Sequence, residues 1–424
     1  MTGCVPLPPM IPIRQQCATP GLPDVAGAMQ SALVRLNLAA QVRPGMRIAV
    51  TAGSRGIANI ELLLRTTVAY LKELGAVPVV VAAMGSHGGG TAEGQLAVLE
   101  SLGITAQRLN AEVRSGVDVI TLGQTADRLE VFFDAFAAQA DGILVLNRVK
   151  PHTSFHGPLE SGLVKMLVVG LGKPAGAMQF HSLGSARLSG ALAAMGSVIL
   201  ERLPVLGGVA VLENSREETA DLVPVPRDQF LAQEPLLLER ARTLLPRLPV
   251  DALDLLVVDE MGKNYSGTGL DTNVIGRIGI RGVPDGQPEI SRIAVLDLSA
   301  ASHGNANGMG LADFITRRFY RKIDFSATYL NTLTATFVDR AKLPVVLDSD
   351  REVIETALRT LGSLPIDQAR IIRIPNTLQL EHLLVSPAVY AATRGCPGLE
   401  RTGAERPWAF DGEGNLGAFG RDSQ

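Results

Sequence analysis

Cysteine is scarce in this sequence and badly placed for chemistry. Cys4, Cys17 and Cys396 are odd in number and form no CxxC pair, which argues against a disulfide framework and against a thiolate metal site. A reducing, cytoplasmic compartment is the expectation. Aromatic residues are also few, 4% of the chain with a single tryptophan, although 46% of residues are hydrophobic. The cores should therefore be aliphatic and rich in small side chains, a composition that suits parallel sheets covered by helices. No excess of one charge is present: the formal net charge is -3, with Lys and Arg spread along the chain. That removes the basic face and the aromatic-basic stripe by which nucleic acids are held. Long apolar runs are missing too. The stretches 166–171 and 253–258 fall well short of the about 20 residues needed to span a bilayer. The start, MTGCVPLPPMIPIRQQ, lacks the basic region and apolar core of a secretory signal. Neither nucleic acid nor a membrane is expected as a partner.

What the chain does have is a concentration of histidine. Four of its six histidines, His87, His152, His156 and His181, fall within a hundred residues, with Lys165 among them. Imidazole exchanges protons near neutral pH and ligates transition metals, so the cluster is a candidate reaction centre. The surrounding text reads as a β-α-β-α unit. RIAVTAG is an apolar run, ANIELLLRTTVAYLKELG has helical spacing closed by Gly75, and VPVVVAAMGSHGGG precedes a helix that Thr91 can cap. DGILVLNRVKPHT reads as a further buried strand running into a loop, and VKMLVVGLGKP as another strand. The fold class expected is α/β, with two α/β domains, mainly parallel sheets and an active-site cleft between them. The first domain is placed at 1–248 and a smaller C-terminal α/β domain at 249–395. A tail over 396–424 either packs back on the first domain or stays mobile.

Loops at the carboxyl ends of parallel strands build ligand sites in such folds, and Arg55, His87 and His152 each follow a predicted strand end. VTAGSRGIA invites comparison with the nucleotide loop of short-chain dehydrogenases. Ala52 and Ala58 stand where two of its glycines would be, however, and no tyrosine has Lys four residues later, so that family is set aside. A loop of small residues before a helix can still hold a phosphate, and Arg55 can clamp a carboxylate bidentately; the plain alternative is a tight turn with a surface arginine. MGSHGGG allows a ligand to approach His87 closely. NRVKPHTSFHG offers two imidazoles four residues apart, which are either functional or merely solvated. Lys165, bracketed by apolar residues, is either a depressed-pKa nucleophile or a snorkelling lysine. His181 follows sixteen residues later, expected near the start of the helix SARLSGALAAMGSVIL.

The order Arg55, His87, His152, Lys165, His181 resembles the nickel-dependent lactate racemase family. In that family an arginine follows the first strand, a histidine follows the next after a glycine, a Pro-His pair follows a later strand, and a lysine and a histidine come after it. Here the matching positions are Ser54-Arg55, Gly85-Ser86-His87, Pro151-His152, Lys165 and His181. The resemblance covers roughly 20–200 and extends to the second domain only in architecture and length.

It implies a nickel-pincer nucleotide, a pyridinium-3-thioamide-5-thiocarboxylic acid mononucleotide covalent on Lys165, with His181 as the nickel ligand and Ser54 in the cofactor loop. His87 and His152 would be acid/base groups on opposite faces of a 2-hydroxy acid, and Arg55 would hold its carboxylate. Proton-coupled hydride transfer through a 2-keto acid would then invert C2. Partners implied are the 2-hydroxy acid itself and cofactor-biosynthesis proteins for loading.

The chain departs from the family pattern at Ala52, in place of an acidic residue, at SGLVK before the lysine, and at the extra His156. His156 could replace His152 as the base or contact further substrate hydroxyls. In the second domain DEMGKNYSGTGLDTN puts Lys263 and Asn264 after a strand end, where Lys263 is a candidate for touching substrate. Two other readings compete. One is a zinc-type hydrolase or lyase with His87, His152 and His156 as ligands, although no HExxH occurs. The other is a non-catalytic paralogue that binds the cofactor but has no need of two proton-transfer groups.

Overall fold

In the computed structural model, residues 6–16, 19–54 and 56–419 are described. The chain forms two compact units, one of Thr19–Leu245 and one of Met1–Ala18 with Pro246–Gln424. In chain order the strands are β1 Ile11–Gln15, β2 Arg47–Ala52, β3 Val77–Ala82, β4 Glu112–Arg114, β5 Val119–Gln124, β6 Glu130–Asp134, β7 Gly142–Arg148, β8 Val205–Glu213 and β9 Thr219–Pro226. They continue as β10 Ala252–Met261, β11 Glu289–Leu298, β12 Phe314–Thr316, β13 Val345–Leu347, β14 Ile371–Ile374, β15 His382–Val385 and β16 Leu399–Arg401.

The sheet of the unit Thr19–Leu245 has the order β4-β3-β2-β7-β8-β9. Every pairing in it is parallel except β8 with β9. Val, Ile, Leu and Ala fill β2, β3 and β7, which are buried almost end to end, as strands covered on both faces must be. One face packs on the helices Val25–Arg35 and Ile60–Glu73 through Leu33, Leu64 and Val68. The other packs on 163–202 and the helix Phe230–Leu244 through Leu167, Phe180, Leu192 and Leu238. From β2 the chain adds β3 and β4 on one side, then returns to add β7 and β8 on the other. The boundary between β2 and β7 is thus the topological switch point, where α/β sheets open a crevice at their carboxyl ends.

The second unit has an eight-stranded sheet, β13-β12-β11-β10-β14-β15-β1-β16. It is parallel from β13 to β14 and antiparallel beyond. Both units are therefore α/β with mainly parallel cores. Two boundaries differ from the sequence reading. The segment carrying β1, assigned above to the first domain, lies between β15 and β16, with Ile11 opposite Val385 and Ile13 opposite Arg401. The tail, expected to pack back on the first domain or stay mobile, packs on its own unit. Met10 bridges Arg406, Trp408 Nε1 donates to Pro8 O at 2.9 Å, and Arg373 donates to Gly417 O at 2.8 Å. Pairing across such sequence separations leaves no local pattern to read.

A third difference matters for the site. The run after Gly162, expected as a strand, is helical: a short turn Leu163–Lys165 continues into a π-helical turn Met166–Gly170, with Leu171 N–H donating to Met166 O at 2.9 Å. Met166, Leu167, Val168 and Val169 are all buried, and a short, fully buried apolar run carries no period that separates strand from helix. His181 correspondingly ends the helix Lys173–Ser182 rather than starting the next one, Ser185–Arg202.

Candidate active site

Three strands of the first unit, β2, β3 and β7, end in loops that hold the residues singled out in the sequence. After β2 comes Gly53-Ser54; Arg55, expected to hold a substrate carboxylate, lies outside the described residues. After β3 comes the loop with exposed His87, whose Nδ1 makes a short hydrogen bond with Ser54 Oγ. The β3 loop is fixed from below. Buried Gln95 donates from Nε2 to Gly85 O at 2.9 Å, and Gly85 N–H donates to Gly170 O at 3.0 Å. Gly85 has φ +58°, and a Cβ there would lie 3.1 Å from Ala177 Cβ and from Val169 O. Only glycine allows both this left-handed conformation and that approach. The His87 loop therefore lies against the helix Lys173–Ser182, one turn below His181.

After β7 comes the loop of His152 and His156, and then the helical turn with Lys165. Asn147 ties strand to turn, its Nδ2 donating to Gly162 O at 2.8 Å. The rings form a chain: His152 to Phe155 at 4.4 Å between centroids, Phe155 to Phe180 at 6.2 Å, Phe180 to His181 at 5.4 Å. Lys165 Nζ stands 5.6 Å from the Phe155 centroid, within the range of a cation–π contact. So His152, Lys165 and His181 are gathered around two buried phenylalanines. Burial, and then the nearby Lys165 charge, push the His181 imidazole down to about 4. It is a neutral imidazole at physiological pH, with a lone pair to offer a metal.

Two buried ionisable groups hold this scaffold. Lys173 is fully buried and bonded to Ala82 O at the end of β3 and to Asp134 Oδ2 at 3.0 Å. Burial pushes its ammonium pKa down, against the opposing pull of Asp134. It pins the start of the His181 helix to the root of the His87 loop. Glu234, from the helix Phe230–Leu244, accepts from Val164 N–H at 2.9 Å at the start of the Lys165 turn. A Cβ at Gly162 would lie 2.3 Å from its Oε1. Burial raises the Glu234 carboxyl to about 7.

Glu160 organises the histidine loop. It accepts from His152 N–H at 2.5 Å, Gly157 N–H at 3.0 Å and Arg242 at 2.5 Å, and lies 3.3 Å from His156 Nδ1. Sequence reasoning missed Glu160, Asn147, Gln95 and Glu234. For Glu160 a signal was present, a carboxylate four residues after a histidine; the others act through the backbone of distant segments. Lys263 belongs to the other unit, at the end of β10. Its Nζ donates to Gly267 O at 2.7 Å and Asn331 Oδ1 at 2.5 Å, and its N–H to Ser302 Oγ at 2.9 Å. Neighbouring Asn264 accepts from Ser299 Oγ at 2.6 Å.

The residues of the first unit suit the group that the sequence suggested. Lys165 Nζ lies over the Phe155 ring, a neutral imidazole, His181, meets Phe180 edge to face, and a Cβ at Gly89 of the His87 loop would have no heavy atom within 4 Å. Among the described residues no group of three or more His, Cys, Asp or Glu is placed to hold an ion, which speaks against a shared site of His87, His152 and His156. No helix among them is long and apolar enough to cross a membrane.

No protein-family model matches the chain, and no curated protein matches it in sequence. Among solved structures it is similar to the lactate racemase apoprotein from Thermoanaerobacterium thermosaccharolyticum, with a TM-score of 0.55 and 13% identity, covering 87% of this chain and 98% of that one. At that identity the likeness is one of fold.

Proposed function

We propose that the chain is a racemase or epimerase of 2-hydroxy acids, carrying a nickel-pincer nucleotide on Lys165 with His181 as the nickel ligand. The observation that carries the proposal is the meeting of Lys165 and a neutral His181 across Phe155 and Phe180, at the carboxyl end of a sheet whose fold resembles a lactate racemase apoprotein. When bound, such a group supplies a hydride acceptor that can return the hydride to either face of a planar carbon. The chain's own residues do the rest. His87, tied through Nδ1 to Ser54, and His152, its ring against Phe155, would move the hydroxyl proton on the two faces. Arg55 is proposed to hold the carboxylate, because a guanidinium fork matches a carboxylate in two bonds. Lys263 is proposed to act in substrate selection. The proposed substrate is a small-molecule 2-hydroxy acid, lactate-like, a sugar acid or a bulkier hydroxy acid, and loading calls for cofactor-biosynthesis proteins as partners.

Mass spectrometry of protein produced together with the cofactor pathway tests this reading. A covalent mass on the peptide of Lys165 and stoichiometric nickel are expected, followed by exchange of C2 stereochemistry in a screen of 2-hydroxy acids. An unmodified Lys165 with no nickel under those conditions refutes it.

A further inference from the structure

The loop of 150–161 holds two histidines and one buried carboxylate, and hydrogen bonding gives the two imidazoles opposite protonation patterns. His152 Nδ1 accepts the Ser154 N–H at 3.1 Å. An atom accepting that bond carries no proton, so neutral His152 has its hydrogen on Nε2. His156 Nδ1 faces both oxygens of Glu160, at 3.3 and 3.4 Å. A lone pair aimed at a carboxylate would be repelled, so neutral His156 carries its hydrogen on Nδ1 and leaves Nε2 bare.

Glu160 is built for that task. Its side chain has no exposed surface, while that of His156 is 48% exposed. The carboxylate is held by two backbone N–H groups of its own loop and by Arg242 from the helix Phe230–Leu244, which also pairs with Glu239. Glu160 therefore keeps its place whatever His156 does. His156 is exposed, while His152 is half-buried.

We propose that Glu160 is a positioning residue that fixes the tautomer of His156, so that beside a His152 offering an N–H at Nε2 it leaves His156 with a lone pair there, and that His156 is the loop's proton acceptor. This rests on the racemase reading and changes it in one respect. On the face served by this loop, the hydroxyl proton is drawn toward His156 Nε2, while His152 Nε2–H donates a hydrogen bond to the substrate.

The test begins with protein that carries no cofactor. Nitrogen-15 labelling of histidine gives six imidazole patterns, and His152→Gln and His156→Gln assign the two that matter, read at a pH where both rings are neutral. His156 protonated at Nδ1 and His152 protonated at Nε2 are expected, with Glu160→Gln moving His156 toward the Nε2–H form while His152 keeps its own. His156 protonated at Nε2 in the unsubstituted protein, or a His156 pattern indifferent to Glu160→Gln, would overturn the proposal. In loaded protein, His156→Gln is expected to lower kcat by about a hundredfold or more, and His152→Gln to raise KM more than it lowers kcat. Full activity of His156→Gln overturns the acceptor assignment. The tautomers decide the positioning role whether or not the loaded protein racemises anything, so failure of the racemase reading is seen separately, as absence of C2 exchange in the unsubstituted enzyme.

Discussion

Glu234 offers the sharpest energetic test of how the Lys165 turn is held. Its side chain is 1% exposed, pressed against Gly162 and bonded to Val164 N–H, and burial lifts the carboxyl from 4.5 to about 7. Between those values the folded protein keeps a proton that the unfolded chain has released. The folded state thus binds more protons, and stability falls as pH rises. The contribution is complete below 4.5 and gone above about 7. At about 1.4 kcal/mol per tenfold change in protonation, the full swing is about 3 kcal/mol.

Glu234→Gln removes the titration while keeping the shape. The sole tryptophan, Trp408, reports on the other unit, so hydrogen exchange of the β7 and β8 amides is the better assay. The opening free energy of the unsubstituted protein should drop relative to the variant by about 3 kcal/mol between pH 4.5 and 7.5, and level off above that. A difference that stays flat over this range would show that Glu234 is not a buried, proton-holding carboxyl, and the account of the Lys165 turn would fail with it.

Two further predictions concern the scaffold. Lys173→Met leaves Asp134 buried without its cation and should cost about 3–5 kcal/mol, read as a lowered melting temperature of the unit Thr19–Leu245; the pair Lys173→Met with Asp134→Leu should recover part of that loss. Gly85→Ala, forced to φ +58° against Ala177, should cost about 1–3 kcal/mol and speed hydrogen exchange in the His87 loop, while exchange of the β9 amides stays unchanged below global opening.

The alternation of apolar runs with helical spacing made the α/β class readable, because β2, β3 and β7 are local signals closed by small residues. The ends of those strands were readable for the same reason, and with them Ser54, His87 and His152. What escaped detection was set by tertiary contact. The turn 163–170 looks like a strand because every side chain in it is buried, so nothing polar marks its period. β1 and β16 became strands only through pairing with each other and with β15. Glu160 and Glu234 matter for what their oxygens meet, Arg242 and His156 in one case and Val164 N–H in the other, and a lone glutamate in a sequence does not reveal its partners.

The place of β1 bears on how the molecule is made. On the ribosome, β1 emerges long before both of its neighbours, β15 and β16. The unit Thr19–Leu245 is a continuous stretch of chain and can fold as soon as it has been translated. Throughout that interval the apolar faces of Ile11 and Ile13 have no sheet to join. The eight-stranded sheet can close only once β15 and β16 have been made, so a truncation just before β15 should strand β1 as an unpaired, adhesive edge while leaving the histidine-bearing unit intact.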